Sequence, residues 1–124
     1  MNTVTDKETV HDIVAVAPTF NNGRTVIDIV DRALDLCGGI VVGNDGSTDD
    51  TQRQLEVWQA SRPGDSIRIV QHRVNRGKAE ALKTGFEIAS QSGHTHALTI
   101  DTDAQHNPSQ IPDFQKPPRR ILGR

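Results

Sequence analysis

The chain has 124 residues, 34% hydrophobic and 3% aromatic, with 14 Lys and Arg against 16 Asp and Glu for a formal net charge of −2. That length holds one domain at most, with a lean core that buries roughly two-thirds of the unfolded surface. The charge balance carries no basic footprint for nucleic acid, and the single cysteine, Cys37, excludes an intramolecular disulfide or a cysteine-based zinc cluster.

Residues 1–10 read as a flexible N-terminus, and their Asp6 and Glu8 do not suit a signal peptide. Ile13-Val14-Ala15-Val16 is the first predicted strand, followed by Pro18 and the loop residues Asn21-Asn22-Gly23. From Arg24 to Leu36 the positions Val26, Val30, Ala33, Leu34 and Cys37 recur at helical spacing, which makes Cys37 a buried structural thiol. Gly38-Gly39 is the expected helix stop. Ile40-Val41-Val42 forms the second strand, far short of the ~20 apolar residues that span a bilayer.

Ser47, with Asp50 three residues on, has the pattern of a capping box for the next helix, which carries Leu55 and Trp58 inward and stops near Pro63-Gly64. Ile67, Ile69 and Val70 belong to a third strand. A third helix follows from about Gly77 to Gln91, with Ala79, Leu82, Phe86 and Ala89 on one face and Gly93 ending it. Ala97-Leu98-Thr99-Ile100 is the fourth strand and runs into Asp101. Strands alternating with helices in crossovers of this length predict an α/β/α three-layer domain around a mostly parallel sheet, over residues 11–114. The last ten residues hold Lys116, Arg119, Arg120 and Arg124 with no acid, whereas residues 1–114 hold 10 bases against 16 acids, a net of −6. This basic tail reads as lying outside the fold.

The polar residues gather after the strand ends, the edge at which open α/β sheets bind ligands. Asp101-Thr102-Asp103-Ala104-Gln105-His106 sets two carboxylates two residues apart with an amide oxygen beyond them, a donor set for Mg²⁺ or Mn²⁺. The same residues also read as an acidic turn closing a strand. Asn44-Asp45-Gly46-Ser47 offers Asp45 to a ribose hydroxyl or a base N–H, or is a turn with a helix cap. It is no EF-hand, because Val41 and Gly43 stand at the first and third ligand positions of that frame. Asn75-Arg76-Gly77-Lys78 opens the third helix, so Arg76 and Lys78 beside free N–H groups make a phosphate grip or two solvated bases on a glycine turn. Phe20 suits stacking on a nucleobase as well as a core position. His94 and His96 share a strand face, but nothing brings His106 to them, so zinc has no support.

In this order, Ala17-Pro18-Thr19-Phe20-Asn21-Asn22, Asn44-Asp45-Gly46-Ser47-Thr48-Asp49, Asn75-Arg76-Gly77-Lys78-Ala79 and Asp101-Thr102-Asp103-Ala104-Gln105-His106 resemble the family 2 inverting glycosyltransferases of GT-A fold. The Asp-x-Asp-x-Gln-His form looks most like the polyprenyl-phosphate sugar transferase branch. The resemblance implies strand order 3-2-1-4, with a nucleotide crevice between strands 1 and 4 and strand 4 as an exposed edge open to self-association. It implies a UDP- or GDP-linked sugar donor held by Pro18, Thr19, Phe20, Asn21, Asp45, Lys78 and Asp101, with Mg²⁺ or Mn²⁺ on Asp101, Asp103 and Gln105. Asn44 departs from the family, which often has a first Asp there. The acceptor, a polyprenyl phosphate or a saccharide, and the general base belong to a part of the family that nothing after Asp113 resembles. A truncated chain follows as the expectation, with a natural short form as the alternative, in a cytoplasmic protein with no transmembrane segment, peripheral to a membrane if the acceptor is a lipid. A non-catalytic nucleotide-sugar-binding module completed by a partner chain is the rival reading. A haloacid dehalogenase-type aspartyl phosphatase is a poorer one, since Gln105 stands where that family carries Thr or Val.

Overall fold

A computed structural model describes residues 13–102 and 119–120. In chain order the elements are β1 (Ile13–Thr19), α1 (Val26–Leu36), β2 (Gly39–Asn44), α2 (Thr51–Ala60), β3 (Ile67–Gln71), α3 (Lys78–Ala89), β4 (His96–Thr99) and β5 (Arg119–Arg120). They build one sheet in the order β3-β2-β1-β4-β5. The first four strands are parallel, with Val14 opposite both Gly39 and Ala97, and Ile40 opposite Ile67.

Burial explains why β1 and β2 are continuous aliphatic runs rather than alternating ones. Every residue of β2, and all of β1 after Ile13, is buried, the pattern of parallel strands covered on both faces. Ala15, Ala17, Ile40, Val42 and Leu98 pack with Ile29, Val30, Leu34, Leu55 and Trp58 from α1 and α2. Their neighbours Val14, Val16, Val41 and Ala97 face the other way, toward Leu82, Phe86 and Ala89 of α3. Three layers result, α1 and α2 on one side and α3 on the other. Between α1 and α2, Trp58 Nε1 and the Arg62 guanidinium both donate to Asp31 Oδ1, at 2.8 and 2.7 Å, and Arg62 also reaches Asp35 and Asp65. Cys37 is buried as expected, and desolvation pushes its thiol up to about 11. Among the described residues no helix is long and apolar enough to cross a membrane.

Three expectations are corrected. Helix α2 begins at Thr51 rather than beside Ser47, whose hydroxyl donates to Asn44 Oδ1 and accepts the Asn21 N–H. Asp49 meets the helix start instead, its Oδ1 accepting the Thr51 N–H at 2.9 Å. Gly38 and Gly39 adopt no positive φ; the chain passes in extended form from Cys37 into β2, where Ser66 Oγ would stand 2.9 Å from a Cβ at Gly39. Third, the basic tail contributes to the sheet. Arg119 and Arg120 pair antiparallel with Ala97 and His96, so the unpaired backbone groups at the expected β4 edge find partners there, as strand edges tend to.

The α3 layer lies close to the sheet. A Cβ added at Gly85 would stand 2.6 Å from Val16 Cγ1, and Val16 is a buried, rotamer-restricted residue. Gly85→Ala is therefore expected to destabilise by about 1–3 kcal/mol, although alanine is the better helix former by about 1 kcal/mol. Urea unfolding measures this. Combined with Val16→Ala, the loss should fall short of the two single losses added together; a Gly85→Ala protein as stable as the parent would rule out the close contact.

Candidate functional site

The loops that leave the carboxyl ends of β1, β2, β3 and β4 meet around a cavity of about 460 Å³, within the size range of small-molecule sites. Pro18, Thr19 and Phe20 line it from β1 and its loop, Asp45 from the end of β2, Lys78 from the start of α3, and Asp101 from the end of β4. Six of the residues expected to bind a donor are thus brought together. Asn21 is not on the lining. It takes a left-handed conformation with φ of 51°, and its side-chain oxygen accepts the Thr48 N–H at 2.8 Å, so it braces the loop after β2 from outside. Arg76, expected beside Lys78 as a phosphate grip, is likewise absent from the lining. Of the three expected metal ligands only Asp101 is described; Asp103 and Gln105 lie outside the described residues. Among the described residues no three His, Cys, Asp or Glu side chains group to hold a metal ion.

Asp45 organises this site. Its side chain is 3% exposed and faces three donors: His72 Nδ1 at 2.8 Å and the Arg76 N–H at 2.9 Å on Oδ1, and the Gly77 N–H at 2.8 Å on Oδ2. Burial is the largest single influence on its pKa and pushes it up. The hydrogen bonds from His72, Arg76 and Gly77, with the electrostatic attraction of the His72 ring, outweigh burial and hold the carboxyl below its usual value. The Asn75 side chain adds a bond to the Asp45 carbonyl at 3.2 Å. Gly46 makes this approach possible, since a Cβ there would lie 2.3 Å from Asn75 N. In consequence the turn at 75–77 is folded onto the end of β2, and the first turn of α3, which no side chain caps, opens at the cavity beside Lys78. An uncapped helix start next to a lysine suits an anion.

The opposite wall is set by Thr102 and Asn22. Thr102 is buried, its hydroxyl 2.9 Å from the Pro18 carbonyl and 3.1 Å from Asn22 Oδ1, and its own carbonyl accepts from Thr25. Asn22 Oδ1 also receives the Thr19 hydroxyl at 3.0 Å. These bonds tie the end of β4 to the loop after β1 and leave Phe20 43% exposed on the lining. Sequence reasoning missed His72 and the structural part of Thr102. The available signal was position: His72 directly follows β3, and Thr102 lies three residues past β4, at the edge where the other site residues stand.

The model of the family described as glycosyl transferase family 2 matches residues 14–119, and the chain belongs to that family. It is 30% identical to an uncharacterized protein of Methanocaldococcus jannaschii over 105 residues, 84% of this chain and 45% of that protein. It is 30% identical to the undecaprenyl-phosphate 4-deoxy-4-formamido-L-arabinose transferase of Enterobacter sp. over 115 residues, 88% of this chain and 34% of that one. The chain thus spans less than half the length of these relatives. Its fold is similar to that of a mannosyltransferase from Pyrobaculum calidifontis solved with GDP-Man and Mn²⁺, at a TM-score of 0.62 and 24% identity over 74% of this chain and 27% of that one.

Asp45→Asn tests the central carboxylate. An amide must turn its NH₂ toward at least one of the three donors, so a loss of about 1–3 kcal/mol is expected at neutral pH. Because the folded carboxyl is held below its ordinary value of 3.8, its contribution is present above that pH and is lost as pH falls through the lower folded value. The gap in urea stability between parent and variant should therefore narrow below about pH 4. A pH-independent gap would show that ionisation of Asp45 contributes nothing.

Proposed function

We propose that this member of glycosyl transferase family 2 binds a nucleotide-diphospho-sugar with a divalent cation in the cavity between β1 and β4, and that the site serves inverting sugar transfer to an acceptor. The observation that carries this reading is the convergence of Pro18, Thr19, Phe20, Asp45, Lys78 and Asp101, from loops distant in sequence, on one cavity. In this reading residues 11–114 are the donor-binding part of the domain.

The parts divide by chemistry. Phe20, exposed on the lining, offers an aromatic face to a nucleobase, and Thr19 and Pro18 complete that wall. Asp45 accepts a hydrogen bond from the base or the ribose. Lys78 and the N–H groups at the start of α3 meet the diphosphate. Asp101 is an exposed carboxylate on the same cavity, an oxygen donor of the kind Mg²⁺ and Mn²⁺ take, and with Asp103 and Gln105 it would hold the cation. When bound, the cation supplies positive charge against the diphosphate leaving group. An acceptor oxygen attacks the anomeric carbon, the bond to the diphosphate breaks, and the nucleoside diphosphate departs with the electron pair.

The donor is a UDP- or GDP-linked sugar; the Pyrobaculum neighbour, solved with GDP-Man and Mn²⁺, supports the class. The Enterobacter relative, an undecaprenyl-phosphate transferase by name, supports a polyprenyl phosphate as acceptor, with a saccharide as the other option. A cytoplasmic site with peripheral access to a membrane goes with the lipid acceptor. The second reading is a non-catalytic module that binds a nucleotide sugar, and the same cavity lining supports it, since each described residue on it is accounted for by contacts to the donor alone.

Calorimetry with UDP- and GDP-sugars, with and without Mn²⁺, followed by a nucleotide-release assay with acceptor, separates the two. Manganese-dependent binding is expected, with Lys78→Ala weakening it about tenfold, the equivalent of ~1.4 kcal/mol. Release on adding acceptor supports a transferase, and binding without release supports the module. Absence of binding to either nucleotide class overturns both.

A further inference from the structure

We infer that His72 is a positioning residue for the donor: it fixes the plane of the Asp45 carboxylate, and through it the 75–77 turn, by bridging that carboxylate to Thr84 on α3. The inference rests on the donor-site reading above. His72 is the first residue after β3, where its backbone N–H donates to the Asn44 carbonyl at 2.9 Å. Its ring lies between two loops and a helix, with 9% of the side chain exposed. Nδ1 is 2.8 Å from Asp45 Oδ1, and Nε2 is 3.0 Å from Thr84 Oγ1. His72 does not line the cavity, so any effect on a bound molecule passes through Asp45.

The chemistry of the two contacts assigns the ring's protons. An ionised carboxylate only accepts, so a neutral His72 carries its hydrogen on Nδ1 and takes the Thr84 hydroxyl proton at Nε2. Thr84 thereby holds the ring, and the ring holds the carboxylate. This matters because the terminal torsion of an aspartate is broad and would otherwise leave the carboxylate plane loosely set. Two of the three side-chain bonds of Asp45 fall on Oδ1; Oδ2 receives only the Gly77 N–H. Oδ2 therefore retains acceptor capacity, on a residue that lines the cavity. Loss of the His72 bond frees the carboxylate to rotate and share its remaining donors, which misdirects that acceptor and loosens the start of α3 together. The relay closes on itself: Thr84 sits on the helix whose first turn it helps to set.

Asparagine is the informative replacement. Its side-chain NH₂ falls near the position of Nδ1 and keeps the donor to Asp45, yet it is too short to reach Thr84. On the full 124-residue chain, His72→Ala, His72→Asn and Thr84→Val are compared with the parent by calorimetry with UDP–Mn²⁺ and GDP–Mn²⁺, by thermal unfolding, and by amide hydrogen exchange at Arg76 and Gly77. His72→Ala should weaken nucleotide binding by about tenfold or more and speed exchange at both amides, as expected for loss of a hydrogen bond to a charged group. His72→Asn and Thr84→Val each keep a donor to Asp45 and lose the bridge to Thr84, so both should fall between the parent and His72→Ala in affinity and protection, with His72→Asn well above His72→Ala despite a similar fall in Tm. In the parent, nitrogen-detected NMR of the ring should find the hydrogen on Nδ1. Affinity that follows Tm alone across the series, unchanged exchange in His72→Ala, or a neutral ring protonated on Nε2 overturns the inference. If the parent binds neither nucleotide, the donor-site reading fails and His72 loses its part in donor binding, while the exchange and ring measurements still decide whether it sets the turn.

Discussion

A carboxylate on a side chain only 3% exposed stays ionised only where donors replace the water it has lost. Asp45 satisfies this by drawing three donors onto itself: the ring after β3, and the two N–H groups of the turn that starts α3. The need of one charge for partners therefore decides where the α3 terminus points. That terminus could have opened anywhere along the sheet edge; the bonds to Arg76 and Gly77 aim it at the crevice between β1 and β4. Lys78, the uncapped helix start and the acceptor on Asp45 become one site because they share this anchor.

The lean composition belongs to the same design. Glycine and alanine occupy the buried face of α3 at Ala81, Gly85 and Ala89, and they bring the helix close enough that Gly85 has no room for a Cβ against Val16. Gly43 on β2 makes a matching approach, where a Cβ would lie 3.1 Å from the Ala81 carbonyl. Larger side chains would bury more apolar area but lift α3 from the sheet, and the reach from its first turn to Asp45 would lengthen. The α1 and α2 side carries the bulk instead, with Ile29, Leu55 and Trp58. A low hydrophobic fraction thus reflects one thin layer and one full layer.

The sheet was legible in the sequence because β1 and β2 are aliphatic without interruption and the helices between them carry clear stripes. The local punctuation was not. Ser47 has the residue type of a cap, but Asn44, three residues back, and Asn21, close only in the folded chain, take its hydroxyl first. Gly38-Gly39 looks like a helix stop, while the need at 39 is space beside Ser66. A two-residue strand such as Arg119–Arg120 has no periodicity to read. Motif order anticipated that Pro18, Thr19, Phe20, Asp45, Lys78 and Asp101 meet on one cavity, since loops after parallel strands share an edge. Adjacency in a motif did not say which side chains turn inward, and Asn21 turns away to the 47–49 loop. His72 was illegible for a different reason. Its role consists of two partners, at positions 45 and 84, that only the folded chain brings to its ring.

The departure at Asn44 follows from Asp45. Asn44 is 1% exposed, and a second carboxylate beside Asp45 at such depth would raise the pKa of one or both through like-charge repulsion and burial. The amide avoids this and does what no carboxylate could. It donates from Nδ2 to Gln52 Oε1 at 2.8 Å while its oxygen accepts from the Ser47 N–H and hydroxyl. Its side chain thus points into the loop that leads to α2 and away from the cavity, whose lining omits it. One member of the pair is neutral and holds the loop; the other is charged and lines the cavity. The substitution relieves the electrostatic cost at Asp45 and so protects the interaction on which the crevice depends.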